Sequence, residues 1–245
     1  MTTTTSSNRK KSPLAPLAPA FSGLNWVAFG GWLYVLVSLM ASLLVSSDTQ
    51  QETLSKVRMP TIALEGICVI EVLRIALGDV PGNITLGSIL HTIRITAIVQ
   101  VLPRAAAIQE TNNSSWHAVT AVLFSWAVTE VSRYPMYMFP TNNLARSIRM
   151  VVPLVTFPIG AVAEFAGAYT VMVSDTDVPL WLQFLLVVMM LVNGALGPYL
   201  AYPHLLKKGL PVLGLATTPG DKKKTQSTTA GSKTTKGNKP NIKSC

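Results

Sequence analysis

The chain is poor in charge. Only 13% of its 245 residues are Asp, Glu, Lys or Arg, against roughly 25% in soluble domains. That deficit argues against a water-soluble globular protein. Cysteine is scarce too, with Cys68 inside an apolar run and Cys245 at the end. Two such residues exclude a disulfide framework and a cysteine metal knuckle. The histidines, His91, His117 and His204, are scattered without ligand spacing, so no metal site is expected. Apolar–polar alternation, which a membrane barrel requires, is missing from runs such as "WLQFLLVVMMLVNGALGPYL". The basic tail holds no aromatic side chain, so base stacking and a nucleic-acid partner are not expected. No apolar stretch with a small-residue cleavage site follows Arg9, Lys10 and Lys11 at once, so residues 1–20 do not read as a signal peptide. Cys245 lacks the following residues of a prenylation box.

What remains is long apolar runs. Between Leu24 and His204 they recur at about bilayer-spanning length. The reading is all-α: a polytopic membrane protein with six transmembrane helices in a bundle and disordered basic ends. The spans are expected near 25–46, 59–77, 84–102, 115–138, 149–172 and 180–203. Residues 1–22 form a disordered N-terminal segment, 23–206 the membrane domain, and 207–245 a disordered basic tail. Both ends are basic, with seven lysines and one acid from Thr217 onward. That places both termini on the cytosolic side and requires an even number of spans. Sequons at Asn83, Asn112 and Asn113 serve as tests of that topology.

Ionisable residues inside spans cost about 2.5–3.5 kcal/mol each on insertion scales and usually mark function. Here they are Glu65, Glu71 and Arg74, then Arg94, then Glu130 and Arg133, and finally Glu164. In "WAVTEVSRYPMYMF", Glu130, Arg133, Tyr134 and Tyr137 share one helical face. That face is either an internal ion pair with aromatic packing or the wall of a polar pocket. Pro135 is expected to bend the helix there and free a carbonyl.

Glu164 stands in a 25-residue window, between Arg149 and Asp175, that holds no other charge. Gly160, Ala161 and Ala168 share its face. Either the small residues permit close helix packing with Glu164 paired to an arginine, or they leave a slot for a slender substrate with a carboxylate at its wall. A carboxyl withdrawn from water suits proton transfer. A proton-coupled transporter would show much the same features.

The ordered stretches "LNWVAFGGW", "IEVLRIALGDV", "VQVLPR", "WAVTEVSRYPMY" and "FPIGAVAE" resemble the 3-hydroxyacyl-CoA dehydratase family of very-long-chain fatty-acid elongation. That family carries an older label as protein-tyrosine-phosphatase-like. The resemblance runs from about Leu24 to Tyr202. It implies a six-span protein of the endoplasmic reticulum with cytosolic termini. The implied reaction removes water from a (3R)-3-hydroxyacyl-CoA to give the trans-2-enoyl-CoA. No cofactor is implied beyond the coenzyme A that the substrate carries. Other elongation enzymes are the implied partners.

The resemblance also assigns residues. Glu164 matches the catalytic glutamate and Gly160 the glycine of the same motif. Gln100, Val101 and Arg104 match one stretch, and Trp126, Glu130, Arg133, Tyr134 and Tyr137 another. Arg149 matches an arginine eight residues before the family's catalytic tyrosine. That tyrosine falls on Phe157, which keeps the ring and loses the proton. Tyr134, Tyr137, Thr156 and Tyr169 are candidate substitute donors, with Tyr134 favoured. Pro103 and Arg74 are smaller departures. The alternative reading is a catalytically impaired relative, a membrane scaffold or acyl-CoA-binding partner of elongation enzymes. Arg104, Arg133 and Arg149 are the residues expected to orient catalytic groups or meet coenzyme A phosphates.

Overall fold

The computed structural model describes residues 15–44, 49–79, 83–111 and 117–215. Among these, secondary structure is entirely helical. The helices are α1 (Ala18–Leu44), α2 (Gln50–Ala76), α3 (Ile84–Thr96), α4 (Leu102–Thr111), α5 (Ala118–Met138), α6 (Asn143–Ser174), α7 (Leu180–Leu191) and α8 (Tyr202–Gly209). A π segment, Ala97–Val101, joins α3 to α4, and a longer one, Val192–Ala201, joins α7 to α8. The described residues therefore make six long rods.

Local chemistry sets the rod ends. Thr49 and Glu52 form a reciprocal capping box at the start of α2. Asn83 caps α3 and Asn142 caps α6 through their side-chain oxygens. Prolines inside rods remove ladder donors, and polar side chains compensate. Pro158 cannot donate to the Leu154 carbonyl, and the Tyr202 hydroxyl donates to it instead at 3.3 Å. Pro103 follows the first π segment, where the Arg58 guanidinium donates to the Val99 carbonyl at 3.0 Å.

Several expected boundaries need correction. Helix begins at Ala18 rather than after residue 22, because Pro19 fits a first helical turn. It continues through Gly209 rather than ending near 206. The second rod starts nine residues before the expected 59, where the capping box lies. The third continues to Thr111, with Pro103 absorbed next to the π segment. Residues 1–14, most of the tail, Asn112, Asn113 and Cys245 lie outside the described residues.

Four rods, 19–44, 84–111, 143–174 and 180–209, are long and apolar enough to cross a membrane. They present exposed apolar side chains such as Val27, Val37, Leu44, Leu180 and Phe184. So much exposed apolar surface suits lipid rather than water. The other two rods, α2 and α5, carry Glu65, Glu71, Glu130 and Arg133, and these point inward.

The rods run up and down. At one end Trp26 of α1 meets Phe139 after α5, Arg74 lies over Phe21, and Gly209 abuts Met150 and Leu154. At the other, Gln51 bonds Glu110, Gln50 bonds Val119, and Arg104 pairs with Asp175. Residues 15 and 215 thus lie at the same end of the bundle.

The pairing of α5 with α6 is the most extensive in the bundle. A Cβ at Gly160 would lie 2.5 Å from Ser125 Oγ. That hydroxyl is itself committed, donating to the Thr156 carbonyl at 2.5 Å. Gly160→Ala is therefore expected to destabilise by about 1–3 kcal/mol through overpacking. Thermal unfolding in detergent measures it, and Ser125→Ala should recover part of the loss.

Candidate active site

Glu164 is half-buried on α6, facing α5 and the second π segment. Both of its oxygens are engaged. The Trp126 indole Nε1 donates to Oε1 at 2.6 Å, and the Asn193 amide Nδ2 donates to Oε2 at 2.8 Å. Trp126 comes from the buried face of α5. Asn193 is the second residue of the π segment. Such wide turns often occur at functional positions. The expectation of an arginine partner for Glu164 is corrected here, because the nearby arginines are taken by other acids.

Those acids form one buried network across α2, α3 and α5. Glu65, fully buried, bonds His91 Nδ1 at 2.8 Å and Arg94 at 3.2 Å. Arg94 also bonds Glu130 at 2.7 Å. Glu130 bonds Arg133 at 2.9 Å, and Arg133 reaches Glu71 at 3.0 Å. The Glu130–Arg133 ion pair read from their spacing is present, as one link of this larger chain. Buried ions of this kind hold only when every partner is in place. The Arg94 guanidinium lies 5.2 Å from the Trp126 ring centroid, so the network touches the residue that holds Glu164. His91 and Cys68 do converge with Glu65, their ligand-type atoms within 4.8 Å of one another. Sequence spacing hides that convergence because the residues come from different helices. Arg94 supplies Glu65 with its counter-charge.

The remaining expected residues divide. Tyr134 is fully buried, with its hydroxyl 3.7 Å from Cys68 Sγ and 3.2 Å from Arg133. It stands eight residues from Trp126 on α5, about 12 Å along the axis. The fold does not bring it to Glu164. Tyr137 packs against Tyr134, and its ring lies beneath Arg133 and Arg149. Thr156 bonds Thr129 and the Val152 carbonyl. Tyr169 is exposed and stacked on Phe165. Phe157 stacks on Tyr202 with ring centroids 6.2 Å apart, its tip toward Gly197. Gly160 lies in the α5–α6 contact, so its small size serves packing.

The arginines also separate. Arg104 pairs with Asp175 at 2.6 Å, beyond the end of α6. The hydrogen bond from Arg104 holds the Asp175 carboxyl below the usual range, with help from the Asp177 backbone N–H. Arg133 belongs to the buried network. Arg149 is half-buried, donates to Met136 Sδ at 3.1 Å and lies over Tyr137. Arg74 pairs with Asp79 at 2.7 Å.

Two apolar surface hollows occur elsewhere. One of about 800 Å³ is lined by Met172, Trp181 and Phe184, and one of about 320 Å³ by Phe29, Leu36 and Pro135. Neither includes Glu164.

The profile of the family described as protein tyrosine phosphatase-like protein, PTPLA, matches residues 66–214, more than half of the chain. The chain belongs to this family. The match contains Glu164, Asn193, Trp126 and most of the ion network. No curated protein and no solved structure matches the chain. Among the described residues, the geometry offers no cysteine nucleophile for the phosphatase in the PTPLA description. A cysteine nucleophile needs an accessible thiolate. Cys68 is fully buried within a continuous helix, and Arg74 is occupied by Asp79. As a PTPLA protein, the chain is consistent with the 3-hydroxyacyl-CoA dehydratase family.

Proposed function

We propose that this protein is a very-long-chain (3R)-3-hydroxyacyl-CoA dehydratase that releases water to give the trans-2-enoyl-CoA in fatty-acid elongation. The observation that carries the reading is Glu164, held on both oxygens by N–H donors at an apolar helix seam inside the family match. A carboxylate so held can accept a proton from carbon without turning toward water. No cofactor enters, since the substrate brings its own coenzyme A.

All six rods cross the endoplasmic reticulum membrane in this proposal. The end that holds residues 15 and 215 carries Arg74, Arg146, Arg149, Lys207 and Lys208, besides the basic terminal stretches. The opposite end carries Lys56, Arg58 and Arg104. The richer end faces the cytosol by the positive-inside rule. Other elongation enzymes are the proposed membrane partners.

Arg149 is the arginine we assign to coenzyme A phosphates. It stands toward the cytosolic end, and no carboxylate bonds it among the described residues, whereas Arg104 has one and Arg133 two. Arg149→Ala is expected to raise KM for acyl-CoA about tenfold or more, the value of a charged hydrogen bond. It should leave kcat nearly intact. Steady-state kinetics with coenzyme A thioesters checks this.

Phe157 favours a second reading, a silenced relative that binds acyl-CoA or elongation enzymes. The experiment that separates the two offers a long-chain 3-hydroxyacyl-CoA to purified protein in detergent. Formation of trans-2-enoyl-CoA supports the dehydratase. Unchanged partner binding without turnover supports the silenced relative.

A further inference from the structure

Dehydration breaks a C2–H bond and a C3–O bond and forms the C2=C3 bond. It needs one group to take the C2 proton and one to protonate the departing hydroxyl. Among the described residues, no second protic side chain reaches Glu164 besides the N–H donors of Trp126 and Asn193. Each nearby hydroxyl is committed elsewhere. Tyr202 donates to the carbonyl that Pro158 frees. Tyr134 sits with Cys68 and Arg133. Thr156 is bonded to Thr129 and Val152. Tyr169 lies five residues beyond Glu164 on α6, about 140° around the helix.

Asn193 is different. A side-chain amide offers two N–H donors and one acceptor, and the bond to Glu164 uses one donor. Gly194, which follows it, lies against the Phe165 ring and is itself exposed. The seam is therefore thin beside the amide. An asparagine in an apolar rod is costly unless its polar atoms find partners.

We infer that Glu164 performs both proton steps of the dehydration and that Asn193 is a catalytic residue beside it. The inference rests on the dehydratase reading. The Glu164 carboxylate removes the C2 proton, and the electron pair passes through an enolate whose charge rests on the thioester oxygen. The second N–H of Asn193 donates to that oxygen. The pair then returns to form C2=C3 as the C3–O bond breaks. The leaving hydroxyl takes the proton back from Glu164 and departs as water. The carboxylate is restored and no other reactant is consumed. One carboxylate reaches both atoms only when the C2 hydrogen and the C3 oxygen lie on the same side, so the elimination is syn.

The test uses the full-length protein in detergent with 3-hydroxyacyl-CoA carrying deuterium at one or the other C2 position. The expected product has lost only the hydrogen syn to the hydroxyl. Loss of the anti hydrogen overturns the single-carboxylate mechanism. Asn193→Leu is expected to lower kcat by about 10²–10³, as for loss of an oxyanion donor, with little change in KM. Asn193→Gln should restore part of the rate. A change in KM alone, or none in either constant, overturns the role of Asn193. Wild type that is silent until Phe157→Tyr restores turnover overturns the inference but keeps the family chemistry. Silence in both overturns the dehydratase reading as well.

Discussion

Arg94→Leu is expected to destabilise the protein by about 3–5 kcal/mol, the scale for removing one partner of a buried ion network. Arg94 is the cation shared by Glu65 and Glu130. Glu65 is fully buried and Glu130 nearly so. Without Arg94, Glu65 keeps only His91 and Glu130 keeps only Arg133. The cluster then holds three carboxylates against a single guanidinium. The change also removes the cation from over Trp126, so the hold on Glu164 should loosen. Unfolding in detergent, followed by temperature or denaturant, measures the loss. The double variant Arg94→Leu with Glu130→Leu should lose less than the sum of the two single changes, as coupled sites do. Additive losses would mean that the two side chains do not share one network.

Glu164→Gln is expected to lower turnover by about 10²–10⁴, the usual contribution of an acid–base group. The fold should survive. The glutamine carbonyl still accepts from Trp126 Nε1, and the amide fills the same volume. The cost is local, because an amide N–H now faces the Asn193 N–H that the carboxylate accepted. Turning Asn193 so that its carbonyl meets the new amide relieves that clash. Melting within a few degrees of wild type, together with lost turnover, would locate the defect in proton transfer. Parallel loss of stability and activity would instead make Glu164 a structural residue.

Much of the architecture was legible in the sequence, because apolar run length and charge scarcity act on whole helices. The helical class, the inward face that Glu130 and Arg133 share on α5, and the separate standing of Glu164 all follow from patterns within one rod. What lies between rods was not legible. Glu65 meets His91, and Trp126 meets Glu164, across helices whose mutual rotation no periodicity encodes. Asn193 went unnoticed for a second reason. The π segment changes the angular step per residue, so a regular helical wheel misplaces it. The bare asparagine inside "LVNGALGPY" was the available signal, since polar side chains in apolar rods usually have partners. The favoured donor Tyr134 was read from the face it shares with Glu130. That face turns to α2 and the ion network, not to Glu164. The early start of α2 was missed because Gln50–Arg58 is polar, whereas Thr49 and Glu52 carried the capping signal.

The most direct measurement compares turnover of a long-chain (3R)-3-hydroxyacyl-CoA by wild type and Glu164→Gln, purified and assayed together in detergent. Release of trans-2-enoyl-CoA by wild type, with Glu164→Gln folded and nearly inert, is the predicted result. Equal rates from the two proteins, or no product from a folded wild type, would contradict the account.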